Sequence, residues 1–273
     1  MWLPVIAALW TQASPASAQT VSEPAPFPFS EAVRADNMLY LSGQIGIAPG
    51  EGMLVAGGVA EETRQTMDNI GATLRRHGLG FDDVVRCLVM MTDMAEWSEL
   101  NRVYASFFPN GRFPARSSMG AKALALGAKV EIECTARFPA ASRASNAGTP
   151  LGPYSQAVQA EGMVYVSGVI AYDEASGRFA GTGIKEQMQQ VFANLDSVLA
   201  AAGTSKNRVV KTMMFLRSAE DMPAANAAYA AYFGPGAKPA RSTVPGADWG
   251  RPEIIVEIEA VAIAGESSRS ASE

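Results

Sequence analysis

The chain has 273 residues, 48% hydrophobic and 18% charged, a globular composition with room for two domains that excludes a chain too polar to fold. Its formal net charge is −5 and its 22 lysines and arginines form no basic run, so nucleic acid is not an expected partner. With one histidine, His77, and two cysteines, Cys87 and Cys134, neither a Ser-His-Asp triad in each half nor a Cys/His zinc site can be assembled, and no metal or other cofactor is expected.

Residues 1–18 carry a short apolar stretch, "WLPVIAALW", and "ASA" just before Gln19. That pattern reads as an export signal, too short for the roughly 18 apolar residues of a membrane span, although no Lys or Arg precedes it. The expectation is an exported chain, periplasmic or secreted, with no membrane attachment after processing; without a signal it would be cytoplasmic. Residues 19–26 read as a polar tether.

A first domain is expected over residues 27–138. "MLYLSGQIGI" reads as a strand, followed by a helix that places Val59, Met67, Ile70 and Leu74 on one face and stops at Gly78. "DVVRCLVMM" reads as a buried strand and "EWSELNRVYASFF" as a helix with Trp97, Leu100 and Tyr104 on one stripe. Two strands close the unit, at "PARS" and "KVEIECTARF". Residues 139–149 read as a linker, a second domain spans 150–264, and residues 265–273 form a polar, disordered tail.

The second domain repeats the first. At one constant offset Tyr40, Ser42, Gly43 and Ile45 become Tyr165, Ser167, Gly168 and Ile170; Asn69 becomes Asn194, Gly78 becomes Gly203, Asn101 becomes Asn226, Tyr104 becomes Tyr229 and Arg116 becomes Arg241. After one added residue "VEIE" at 130–133 maps onto "VEIE" at 256–259. The second helix face is Ile184, Met188, Val191, Leu195 and Val198, stopped by Gly203. The fold class is therefore α+β, in two tandem domains, each a mainly antiparallel sheet with two helices on one face.

The chemistry-bearing residues fall on the last strands. Strand alternation turns Glu131 and Glu133 to one face and Val130, Ile132 and Cys134 to the other, toward the helices; Glu257 and Glu259 repeat this. If the "PARS" strand lies beside "VEIE", Arg116 comes near Glu131 or Glu133. Such a pair is either a solvated cross-strand contact contributing about 0.2–1 kcal/mol or part of a binding site. The recurrence of the arginine, the glutamates, the serine and the asparagine in both halves favours a site. A guanidinium fork suits a carboxylate, so the expected ligand is a small carboxylic acid. Hydrolysis of an already labile group would need only orientation and one base, which a glutamate can supply.

"GPYSQAV" (152–158), "YVSG" (165–168), "PARST" (239–243) and "VEIEAVA" (256–262) resemble the Rid family of enamine and imine deaminases; the first half is similar, with "FPFSEAV" at its start. The resemblance covers residues 27–138 and 150–264. It implies a chorismate-mutase-like fold assembled as a three-domain ring with sites between neighbouring domains. It implies that Arg116 and Arg241 hold a substrate carboxylate while water hydrolyses an enamine or imine such as 2-aminoacrylate to a 2-keto acid and ammonia. Glu131 and Glu257 would position or activate the water. Ser42, Ser167, Asn101, Asn226 and Tyr154 would line the pockets, with Ser118 and Thr243 standing where many relatives carry a cysteine. Phe29 replaces the family's tyrosine, and Val169 the glutamine retained as Gln44.

Three two-domain chains supply six domains, so a homotrimer is expected. Trp249, in "PGADWGRP", either narrows the second pocket or packs on a neighbour. His77 is expected to face the helix end or solvent, and the two cysteines to be buried free thiols, with a disulfide open to an exported chain. The alternatives to a deaminase are a non-catalytic carboxylate-binding or assembly protein and, less favoured for an acidic chain without paired histidines, a ribonuclease.

Overall fold

The computed structural model describes residues 19–20, 29–138 and 143–265. The expected export signal, most of the expected tether and tail, and the first residues of the expected linker lie outside the described residues.

In the first half β1 (Gln19–Thr20) pairs with β2 (Ala32–Ala35), which turns back into β3 (Met38–Leu41). After β4 (Gln44–Ile45) comes α1 (Gly58–Arg76), which buries Val59, Met67, Ile70 and Leu74 as the periodicity predicts. Gly78 follows at φ 74, a conformation that favours glycine and ends the helix. Then come β5 (Val84–Met91), α2 (Trp97–Ala105), β6 (Ala115–Gly120) and β7 (Val130–Arg137). The sheet runs β1-β2-β3-β7-β5-β6, with β4 also on β7; β5 and β6 are parallel, joined by the α2 crossover, and the other pairs are antiparallel.

The second half repeats this plan. It comprises β8 (Arg143–Ser145), β9 (Ala157–Ala160), β10 (Met163–Ile170), the small hairpin β11 (Tyr172–Asp173) and β12 (Arg178–Phe179), α3 (Ile184–Ala201), β13 (Val209–Leu216), α4 (Met222–Phe233), β14 (Ala240–Pro245) and β15 (Val256–Ile263). Its sheet runs β14-β13-β15-β10-β9-β8, again with one parallel pair, β13 and β14. Part of the expected linker is therefore strand: Arg143–Ser145 pairs with Ala157–Gln159 and extends the second sheet.

Each half has its own core between helices and sheet. Val130, Ile132 and Cys134 face the helices, as strand alternation requires. The expectation that "PARS" lies beside "VEIE" fails. The parallel crossover puts β6 on the far side of β5, so β5 separates Arg116 from Glu131 and Glu133 in both sheets' common plan. The expectation of free thiols fails too. Cys87 and Cys134 are directly opposed on β5 and β7, their Cα atoms 4.2 Å apart, and form a disulfide inside the first core.

The two halves pack through the sheet faces that carry no helices. Leu88 and Met119 meet Phe215, Ala247, Trp249 and Ile254, and Met38, Val85 and Ala115 meet Val158 and Ala160. Glu259 is buried in this interface, where Arg86 donates to both its oxygens at 2.9 Å and Ser117 Oγ to Oε2 at 2.8 Å. A carboxylate taken out of water needs such partners, and the first half supplies all three bonds.

Candidate active site

Arg116 is fixed by hydrogen bonds between the halves. The carbonyl of Pro114 accepts the Ser155 N–H at 3.0 Å, and the Arg116 N–H donates to Ser167 Oγ at 2.7 Å. Ser167 Oγ in turn donates to the Ser155 carbonyl at 2.6 Å. Strand β6 is thereby held against the second half, and Arg116 is buried, 3% exposed. Its guanidinium lies 4.8 Å from the Tyr104 ring centre, 5.8 Å from Tyr154 and 5.9 Å from Trp97. Nε and Nη1 have no hydrogen-bond partner among the described residues. Burial lowers the guanidinium's pKa, against the attraction of Tyr104, Tyr154 and Glu257, but an arginine remains protonated. A buried cation with idle donors has the chemistry to take up a carboxylate.

Glu257 lines the same cavity, a space of about 330 Å³ between the two halves. Oε2 accepts the Trp249 indole N–H at 2.8 Å. The carboxyl also explains the glycine of "YVSG": a Cβ on Gly168 would overlap Oε1 and Cδ of Glu257, so glycine leaves room for the carboxyl against β10. Gly43 stands in the same relation to Glu131. Burial pushes the Glu257 pKa up to about 8; the Trp249 bond pulls it down, the Glu259 charge raises it and Arg116 lowers it. A carboxyl that titrates there can both give and take a proton near neutral pH.

Of the expected site residues, Arg116, Ser118, Tyr154 and Glu257 line this cavity. Among the described residues Ser118 Oγ is buried without a partner, as are Tyr104 OH and Asn101 Oδ1, one helical turn apart on α2. The Tyr154 hydroxyl accepts the Leu151 N–H at 3.3 Å. Ser167 does not offer its hydroxyl to the cavity, because both of its bonds go to backbone; Ser42 likewise donates to Ser30 O at 2.8 Å. Both serines hold the chain rather than a ligand here.

Arg241, Asn226 and Thr243 are not brought to this cavity. Arg241 is exposed on the edge strand β14, lies 4.6 Å over the Tyr229 ring and donates through Nη2 to Asn226 Oδ1 at 2.7 Å. Glu131 sits apart from either arginine, opposite Ile45 and Met90, its pKa raised by burial and by Glu133. One cavity thus joins the arginine of the first half to the glutamate of the second, and Arg241 and Glu131 lie outside it. Sequence reasoning missed Trp97, Tyr172 and Phe179 around it, and Tyr104 against the Arg116 guanidinium. The recurrence of Tyr104 as Tyr229 was the available signal; the periodicity assigned Trp97 and Tyr104 to the core stripe instead.

The family description Endoribonuclease L-PSP matches residues 20–138 and again residues 144–264. The chain belongs to that family. This is the Rid family its motifs resemble, present in two tandem copies. Among similar proteins, 2-iminobutanoate/2-iminopropanoate deaminase of Mus musculus is 41% identical over 40% of this chain and 80% of its own length. Reactive Intermediate Deaminase A, chloroplastic, of Arabidopsis thaliana is 39% identical over 49% of this chain and 73% of its own. The solved structure of the Rid-family protein YyfA from Yersinia pestis is 38% identical, with a TM-score of 0.42, over 45% of this chain and 100% of that one. Each L-PSP relative thus matches about one half of this chain.

Proposed function

We propose that the chain is an imine deaminase that hydrolyses the C=N bond of 2-imino carboxylates, or their enamine tautomers such as 2-aminoacrylate, to 2-keto acids and ammonia, at a composite site shared by its two halves. The observation that carries this reading is the buried Arg116 guanidinium, with idle Nε and Nη1, on one cavity with a Glu257 carboxyl that titrates at about 8. Deaminase names among relatives about 40% identical support it.

Arg116 takes the substrate carboxylate in charge-assisted hydrogen bonds, which sets the imine carbon at a fixed place in the cavity. Protonated Glu257 gives its proton to the imine nitrogen and makes the carbon electrophilic. Water then adds to that carbon and returns a proton to the carboxylate, giving a carbinolamine. A second cycle moves the proton to the amine, which leaves as ammonia while the hydroxyl loses its proton to Glu257. Imine and water are consumed, keto acid and ammonia are formed, and Glu257 ends protonated as it began. Trp249 fixes which carboxyl oxygen faces the substrate.

The unmatched Arg241 edge supports association with a second copy, whose Glu131 side would complete a further site; a homotrimer follows from counting three-domain rings. The buried disulfide supports the reading of residues 1–18 as an export signal, since such bonds persist in oxidising compartments.

The test is release of keto acid from 2-aminoacrylate generated by a serine dehydratase, run beside calorimetric binding of propanoate. Faster release that is lost in Glu257→Gln, with propanoate still bound, is expected. Binding with no acceleration would replace the deaminase reading with a non-catalytic carboxylate-binding protein.

A further inference from the structure

The cavity is larger and more apolar than a small imino acid requires. 2-Iminopropanoate has six non-hydrogen atoms, two of which Arg116 engages, whereas cavities of roughly 300 Å³ and above enclose considerably larger ligands. Away from Arg116 and Glu257 the walls are Met94 and Trp97 from the first half and Tyr172, Phe179, Trp249 and Ile254 from the second. A methyl side chain would touch few of them.

These walls are built in place. The Trp249 loop is tied to the first half by the Gly120 N–H on Asp248 O at 2.6 Å. Within the loop Asp248 Oδ1 accepts the N–H groups of Trp249 at 2.8 Å and Gly250 at 3.1 Å. Arg217 spans it, donating to Asp248 Oδ1 at 3.1 Å, Ile254 O at 2.9 Å and Arg251 O at 2.7 Å. A Cβ on Gly250 would crowd Met94 Cβ, so loop and Met94 are in close contact. On the opposite wall the Tyr172 and Phe179 rings pack edge to face at 5.5 Å across the β11–β12 hairpin. Arg251, at the same end, lies 5.0 Å over the Phe179 ring and 4.0 Å from Glu253, so its guanidinium covers one face of that ring.

The Trp249 part of the wall has no counterpart in the first half. The first-half loop that corresponds to "PGADWGRP" reads "GAKALALGA" and contains no aromatic residue. That part of the wall is therefore a property of the Arg116–Glu257 cavity and not of the repeat.

We infer that the preferred substrates are imines of 2-amino acids with aromatic side chains, the carboxylate on Arg116 and the ring between Trp97, Trp249 and Phe179. This rests on the imine deaminase reading for the reaction but not for the binding. Removing a phenyl ring from water into a preformed apolar wall favours the aromatic imine by about tenfold or more in kcat/KM.

The experiment compares the imines of phenylalanine and alanine, each generated by an L-amino acid oxidase and followed by competition with semicarbazide, in the whole chain and in Phe179→Ala. In parallel, calorimetry compares 3-phenylpropanoate with propanoate, which need no turnover. The expected result is a preference for the phenylalanine imine of about tenfold or more, cut at least fivefold in Phe179→Ala, with 3-phenylpropanoate bound correspondingly tighter. Equal or faster hydrolysis of the alanine imine would overturn the aromatic preference and leave the deaminase reading standing. Hydrolysis of neither imine would overturn the deaminase reading, and the aromatic preference would then stand or fall on the calorimetry: equal affinities for the two acids overturn it.

Discussion

Glu257 is the one carboxyl in the described chain placed beside a buried arginine and an indole donor in a cavity, and its titration has two consequences. Between about pH 4.5 and 8 the folded chain holds a proton on Glu257 that the unfolded chain has lost. The folded state binds more protons in that window, so this group makes stability fall as pH rises through it. Glu257→Gln keeps an acceptor for the Trp249 N–H and removes the titration. The variant should unfold at the same temperature as the parent near pH 5 and at a higher one near pH 9, by calorimetry. Catalysis has the same dependence: kcat/KM should fall above about pH 8 as the acid form is lost, and Glu257→Gln should lose about 10²–10⁴-fold below that pH, with the gap to the parent narrowing above it. Gly168→Ala is a sharper probe of placement. Its Cβ would displace the far end of Glu257 rather than backbone, so activity should drop far more than thermal stability.

At the scale of elements, α1 and α3 were legible because their apolar residues recur at helical spacing and a left-handed glycine ends each: Gly78 at φ 74 and Gly203 at φ 72. The direction of Glu131 and Ile132 was legible from strand alternation alone. Sheet order was not. Nothing local in "PARS" or "VEIE" says that α2 carries the chain over β5 to its other edge, and that crossover is what separates Arg116 from the glutamates of its own half. The cysteine pair follows from the same order, since β5 beside β7 sets Cys87 opposite Cys134. The bond closes a separation of 47 residues, and removing it by Cys87→Ala with Cys134→Ala should cost about 2–4 kcal/mol. For a chain of this size that lowers the unfolding midpoint by about 5–15 °C, while the second half, which has no cysteine, should be unaffected by reductant.

At the scale of the whole molecule, duplication has produced two chemically similar surfaces with different surroundings. The β6 edge is covered by the second half, whereas its counterpart β14 is exposed, and on the first half Tyr40 is 48% exposed where Tyr165 is partly buried. Sequence could not say which glutamate meets which arginine, because each copy offers both at matching places; only the packing of one half on the other distinguishes them. The exposed edge should associate with a second copy. Light scattering should return a multiple of the single-chain mass, with a homotrimer expected, and Arg241→Glu should reduce it. The central claim, that the working site is built from Arg116 and Glu257 of one chain, is tested most directly by imine hydrolysis in Arg116→Ala and Arg241→Ala. Arg116→Ala should lose about 100-fold or more in kcat/KM, since it removes charge-assisted bonds to the substrate carboxylate, while Arg241→Ala should keep at least about half the parent's activity. Full activity in Arg116→Ala with loss in Arg241→Ala would contradict the account.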